Sequence, residues 1–379
     1  MQFSLLFFSS HEAEFAADKY HLLLAAAQFA DQHDFTSIWV PERHFHAFGG
    51  LFPNPSVVAS ALAMVTQRLR LRAGSVVLPL HHPIRVAEDW AVVDNLSQGR
   101  VDMAFAVGWS PNDFVLAPAN FADRTALTFS GIHTIQALWQ GQSIALPNGL
   151  GEEITVQLHP RPKQQSLPVW LTCSGGAQRF ADAGAHGFNI LTALLFQSVE
   201  DLAEKIVCYR KARAEHGYDP ETGHVTLMLH TFIADDLEQV RLAVKAPLTR
   251  YLRDSVDLWR HAATDLEALS ERERDMALAY AFERYFQTKT LFGTPATALE
   301  RVHQLRDMGV DEIACLIDFG IHPEQAMRGL EHLNHLRLLS QETPAPGAVG
   351  SVSKRFPPES RTWLSLIKNR ALFTRRQKL

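Results

Sequence analysis

Residues 69–107 read LRLRAGSVVLPLHHPIRVAEDWAVVDNLSQGRVDMAFAV. Residues 69–78 are an apolar β-type run that stops at Pro79. Pro83 then sits where a first helical turn needs no backbone N–H, and residues 83–96 continue with helical spacing until Ser97-Gln98-Gly99 breaks them. Residues 101–107 return to a β-type run. Strand, helix, strand in this order predicts a parallel pair with a crossover helix, because the chain must travel back along the sheet before it can run forward again.

Six further runs of the same kind occur at residues 3–8, 36–40, 168–173, 187–191, 225–233 and 312–317. Helical patterns lie between them, at 13–33, at 55–67 behind Pro55, and behind Thr294-Pro295. Eight β units alternating with helices predict an α/β protein, a closed (β/α)8 TIM barrel. The 379 residues fit such a barrel as one domain. Two connections, 108–167 and 235–293, are too long for ordinary loops and read as insertions after strands four and seven, where barrels shape the mouth of a site or a subunit contact. Residues 341–351, QETPAPGAVGS, have the composition of a linker. The sequence therefore divides into a barrel domain, 1–340, and a linker with a C-terminal tail, 341–379.

With 46% apolar and 20% charged residues the chain is a folded globular protein rather than a disordered one. The net charge of −5 argues against a general nucleic-acid binder. Charge is unevenly spread: residues 351–379 carry eight Lys/Arg against Glu359, a surplus of +7 that leaves residues 1–350 at −12. Three scattered cysteines suit a reducing compartment. The run 3–8 lacks a basic lead-in and fails as a secretory signal, and no stretch reaches the length of a membrane span. A cytoplasmic protein is expected.

Barrel chemistry sits where strands end, so the residues just after each run carry the functional reading. Ser174-Gly175-Gly176 leaves the fifth strand and enters a helix, which aims open backbone N–H groups at the mouth; that is an anion seat or a plain tight turn, with Gln178 and Arg179 as added donors. His44, after the second strand, can exchange a proton near neutrality, with Glu42 and Arg43 beside it. His81-His82-Pro83 reads as a structural turn into a helix in preference to a ligand site. After the fourth strand, Trp109 and Phe114 flank Asp113, an apolar wall with one carboxylate. No GxGxxG and no GxxxxGK[ST] occurs, so a phosphate-bearing ligand would be FMN-sized.

At this point the motifs QFSLLFF (2–8), IWVPERHF (38–45), RLRAGSVVLP (70–79) followed by His82-Pro83, Glu88-Asp89, SQGR (97–100), FGTP (292–295) and MGVDEI (308–313) resemble the bacterial luciferase-like monooxygenases, in family order over residues 1–340. The segments 108–118, 187–192, 230–232 and 314–320 resemble more narrowly the members of that family found in natural-product biosynthesis, free or within nonribosomal peptide and polyketide assembly lines.

The resemblance implies a barrel that uses reduced FMN (FMNH2) and O2 and receives its flavin from a separate flavin reductase. It places the flavin ring against Gly74, Ser75 and Val76, where the family often has a non-proline cis peptide, and near Val107, Gly108 and Trp109. The phosphate is expected on Ser174, Gly175, Gly176, Gln178 and Arg179, in agreement with the anion seat. Luciferase itself has two successive histidines after the second-strand Glu; here the first is Arg43, so the resemblance does not extend to light emission. The catalytic expectation falls on His44 and Asp113. A homodimer is expected from the family, and the basic tail suggests docking of an acidic acyl or peptidyl carrier protein or, equally, a solvated tail. No metal, nucleic acid or membrane enters this reading.

Two competing readings stand beside it. One is an F420-dependent hydride-transfer enzyme of the same superfamily. The other is a metal-dependent hydrolase built on His44, His46, His230 and Asp318.

Overall fold

The computed structural model describes residues 1–8, 19–195, 197–258 and 271–342. Its strands, in chain order, are β1 (Gln2–Leu6), β2 (Ser37–Val40), β3 (Arg70–Val77), β4 (Val101–Ala106), β5 (Ile144–Pro147), β6 (Glu153–Val156), β7 (Val169–Cys173), β8 (Asn189–Ala193), β9 (Val225–Ile233), β10 (Thr290–Gly293) and β11 (Glu312–Leu316). Eight of them close a parallel ring: β11, β1, β2, β3, β4, β7 and β8 follow one another, β9 pairs with β11 on one side, and Ile190↔Val225 to Ala193↔Met228 join β8 to β9. The TIM barrel expected from the sequence is present.

Two elements are additions to that expectation. The insertion after β4 carries an antiparallel hairpin, β5 with β6. The insertion after β9 holds α7 (Leu237–Leu258) and α8 (Glu271–Thr288) and returns as β10, which pairs with the second half of β9 from Thr290↔His230 to Gly293↔Ile233.

Four ring helices fall where the sequence pattern places them. α1 is His21–Gln32, and residues 13–18 of the expected helix lie outside the described residues. α2 (Pro55–Val65) starts behind Asn54, whose side-chain oxygen accepts the N–H groups of Ser56 and Val57. α3 (Pro83–Leu96) and α9 (Pro295–Asp307) both carry proline in the first turn. α4 (Arg124–Trp139), α5 (Ala177–Ala185) and α6 (Val199–Glu215) complete the ring with α10 (Pro323–Glu342). The last helix runs past the expected boundary at 340, and the linker and basic tail from residue 343 onward lie outside the described residues. Among the described residues no helix is long and apolar enough to cross a membrane.

Strand alternation sorts side chains onto two faces. Leu71 and Ala73 of β3 and Val169 and Leu171 of β7 join the outer core under the helices. Trp39, Ala104, Trp170 and Leu316 fill the barrel, where they merge with aromatic residues of α7 and α8. The floor is polar: Arg72 Nε donates to Asp102 Oδ2 at 2.7 Å and Arg72 Nη1 to Glu312 Oε2 at 2.7 Å, with the guanidinium 4.5 Å from the centre of the Trp170 ring. Glu312 also binds His224 Nε2 at 3.0 Å. Burial alone would raise the Glu312 carboxyl, but Arg72 and then His224 hold it far below the usual carboxylate range.

Candidate active site

The residues singled out for the flavin and for proton exchange stand in the carboxyl-terminal half of a strand, as Gly74, Ser75 and Val76 do in β3, or on the segment that follows one, so they belong to one rim of the barrel. At the end of β3 the Gly74–Ser75 peptide is cis, and the pairing with β4 shifts there, Gly74↔Ala104 being followed by Val76↔Phe105. Ser75 is the extra residue of this bulge. Its hydroxyl meets the Thr172 hydroxyl of β7, across the small side chains of β4. A Cβ on Gly74 would stand 3.1 Å from Trp39, so this strand end is flat and closely backed.

Val107 and Gly108 are half-buried and Trp109 is exposed. Gly108 has φ +83°, and a Cβ there would lie 2.8 Å from Phe114 and 2.9 Å from Val77; the turn needs glycine for both reasons. Phe114, Val77 and Leu80 form a small apolar cluster beneath it.

The Ser174-Gly175-Gly176 turn is exposed and leads into α5, whose cap residue Gly176 offers no side chain to its free N–H groups. Nothing lies within 4 Å of a Cβ built on Gly175 or Gly176, so the space above the turn is open. Gln178 Nε2 donates to Asp182 at 2.9 Å. Arg179 Nη1 stands 3.8 Å from Asp182 and has no hydrogen-bond partner among the described residues. An open turn at a helix N-terminus, with unblocked backbone N–H groups, fits a phosphate group.

Glu42 is the centre of the acid–base cluster. Its Oε2 accepts the Val77 N–H at 2.7 Å, and its Oε1 faces both His44 Nε2, at 2.8 Å, and His81 Nε2. Burial alone would raise the Glu42 carboxyl, but the hydrogen bonds from His44, His81 and Val77 hold it below its ordinary value. Burial would lower the His81 imidazole, yet the hydrogen bond and charge of Glu42, with Asp89 behind, raise it.

Arg43 and Asp113 are both enclosed and approach to 3.5 Å, and Ser110 Oγ donates to Asp113 at 3.1 Å. The Arg43 guanidinium lies 4.9 Å from the Trp109 ring centre. Asp113 is thus engaged by its ion pair with Arg43 and the hydrogen bond from Ser110, while His44 is held by Glu42. His81 is the neighbour of Glu42 that sequence reading missed: the His-His-Pro turn gives no sign that one ring folds back to residue 42.

The four residues of the metal-hydrolase reading form no ligand group among the described residues. His46 Nδ1 accepts the Phe48 N–H, Asp318 accepts that of Phe8, and His230 is buried with Nδ1 3.1 Å from Tyr285 Oη. Donor atoms of Glu42, His44 and His81 do lie within 4.8 Å of one another, and their mutual hydrogen bonds already account for that closeness.

Known proteins resemble this chain in sequence and in fold. The flavin-dependent trigonelline monooxygenase, oxygenase component, of Acinetobacter baylyi is 26% identical over 356 residues, 91% of this chain and 95% of that protein. The 4-hydroxyprotoasukamycin monooxygenase of Streptomyces nodosus subsp. asukaensis is 27% identical over 299 residues, 75% of this chain and 76% of that protein. The fold is shared with the solved structure of the oxygenating constituent of 3,6-diketocamphane monooxygenase of Pseudomonas putida, a type II Baeyer–Villiger enzyme in complex with FMN; the TM-score is 0.71 at 17% identity, over 92% of this chain and 99% of that one. The luciferase-like monooxygenase family matches residues 1–312 in sequence, and with its closed barrel and single functional rim this chain belongs to that family.

Proposed function

We propose that this protein is the oxygenase of a two-component system, which uses reduced FMN and O2 to oxidise an intermediate of secondary metabolism. The observation that carries the reading is the presence on one rim of an open anion seat at Gly175-Gly176, a flat strand end at Gly74-Ser75 and a histidine pinned to a buried carboxylate. When bound, reduced flavin supplies the electrons that activate O2.

The protein's own residues do the rest. Ser174, Gly175, Gly176, Gln178 and Arg179 hold the phosphate. Gly74, Ser75 and Val76, with Val107, Gly108 and Trp109, back the ring. The apolar Phe114 cluster and the aromatic residues of α7 and α8 exclude water from the mouth. His44 exchanges a proton through the ring nitrogen that Glu42 leaves free, and Asp113 anchors Arg43, whose fixed charge favours an anionic oxygen nearby.

A separate flavin reductase is supported by the relative described as an oxygenase component. An acidic acyl or peptidyl carrier protein presenting the substrate would meet the basic surplus of residues 351–379, and the protein would work as a homodimer in the cytoplasm.

The test is anaerobic titration of the protein with reduced FMN and, separately, with reduced F420, followed by mixing with O2. Saturable binding of reduced FMN and slower oxidation of the bound than of the free cofactor are expected. Preferential binding of reduced F420, with no effect on the oxidation of FMN, would overturn the proposal.

A further inference from the structure

The sequence motif His81-His82-Pro83 is left unused by the assignment above, yet the structure folds His81 back onto Glu42. One oxygen of that carboxylate faces two imidazoles at once, and the other is occupied by the Val77 N–H. Glu42 is 6% exposed, so water does not compete for it. An ionised carboxylate accepts only, so both Nε2 atoms carry hydrogen, and the nitrogen of His44 left for chemistry is Nδ1.

One carboxylate balances one imidazolium. A second would set two cations against a single oxygen, so a charge on one ring opposes a charge on the other. They differ in their access to water: the His81 side chain is 34% exposed and that of His44 10%. Asp89, on α3, adds a second negative group toward His81.

We propose that His81 is a positioning residue for His44, acting through Glu42: it carries the positive charge of the cluster while His44 is neutral, and gives up a proton to water when His44 takes one. The step balances without any co-reactant. A proton adds to His44 Nδ1, the Nδ1 proton of His81 leaves to solvent, and both Nε2–H bonds to Glu42 persist. The charge moves from His81 to His44 while its total stays the same, so His44 accepts a proton without adding a second cation to a buried site.

The proposal rests on the assignment of proton exchange to His44, and its test separates the two. Histidine-labelled full-length protein is followed by ring 15N NMR across pH, as wild type, His81→Gln and His81→Arg, beside pH–rate profiles with reduced FMN. Wild type is expected to show His44 as the Nε2–H form with its proton uptake displaced by that of His81. In His81→Gln the His44 midpoint should rise by about half a pH unit or more, roughly a threefold change in proton affinity, because the competing cation is gone. His81→Arg, a permanent cation, should bring it back to or below the wild-type value. The acidic limb of kcat should follow these shifts with KM for reduced FMN unchanged. Identical His44 titration in wild type and His81→Gln overturns the inference, whatever the activity. A shifted titration with an unshifted rate profile leaves the coupling standing and overturns the assignment of His44 to the chemistry.

Discussion

Asp113 holds Arg43 across the mouth of the barrel, the carboxylate 3.5 Å from the guanidinium, and so ties the loop after the fourth strand to the loop after the second. Both side chains are enclosed, which makes the pair costly to break from one side. Asp113→Ala is expected to lower unfolding free energy by about 3 kcal/mol in urea titration. Asp113→Leu combined with Arg43→Met should recover much of that loss, and strictly additive single and double variants would show that the two residues are not coupled.

The floor of the barrel predicts a distinct acid response. The Glu312 carboxyl is held far below its usual range, so its contribution is complete above the unfolded value of about 4.3 and is lost as pH falls further toward the folded one. Glu312→Gln leaves Arg72 with Asp102 as its remaining carboxylate, so the loss at pH 7 should stay below the ~3–5 kcal/mol of a buried charge with no partner at all. Melting temperature measured from pH 7 to pH 3 should fall less steeply below pH 4 in the variant than in the wild type.

His230 acts in the opposite sense. Burial lowers its imidazole to about 3. Between about 6.5, the unfolded value, and that figure the unfolded chain binds a proton that the folded one refuses, so stability declines as pH falls through this window. His230→Leu removes the titration. Its stability relative to wild type should therefore improve steadily from pH 6.5 to pH 4, and a pH-independent difference would exclude this account.

Two glycines on the rim should respond in contrasting ways. Gly108→Ala forces a side chain into a positive-φ turn against Phe114 and Val77, and should lower thermal stability. Gly175→Ala meets nothing within 4 Å, so the fold should tolerate it. If the phosphate seats there, FMN affinity measured by fluorescence quenching should drop several-fold in Gly175→Ala while the melting curve stays in place; unchanged affinity would move the seat elsewhere.

The barrel itself was legible because its signals are local. Leu71 and Ala73 alternate with Arg70 and Arg72, prolines open α3 and α9, and glycine marks the turn into α5. What escaped depends on distance. β10 is only four residues, Thr290–Gly293, behind a long helical insertion, and it is a strand by virtue of its partner β9. Nothing in the run 69–78 tells that Arg72 is buried and paired, since its partners Asp102 and Glu312 lie 30 and 240 positions away. His81 reaches Glu42 over 39 positions, a spacing without any motif.

The place of β10 carries a last consequence. The hoop is already fastened by β8 against the first half of β9, so β10 rides outside it, clipped to the upper half of the same strand. Helices α7 and α8 are thereby a cassette suspended between two attachment points on one stave. Their outward-facing residues can be rewritten without touching the strand pairing of the hoop, whereas Tyr251, Phe282, Tyr285 and Phe286, which reach down among the staves, are held to their present shapes.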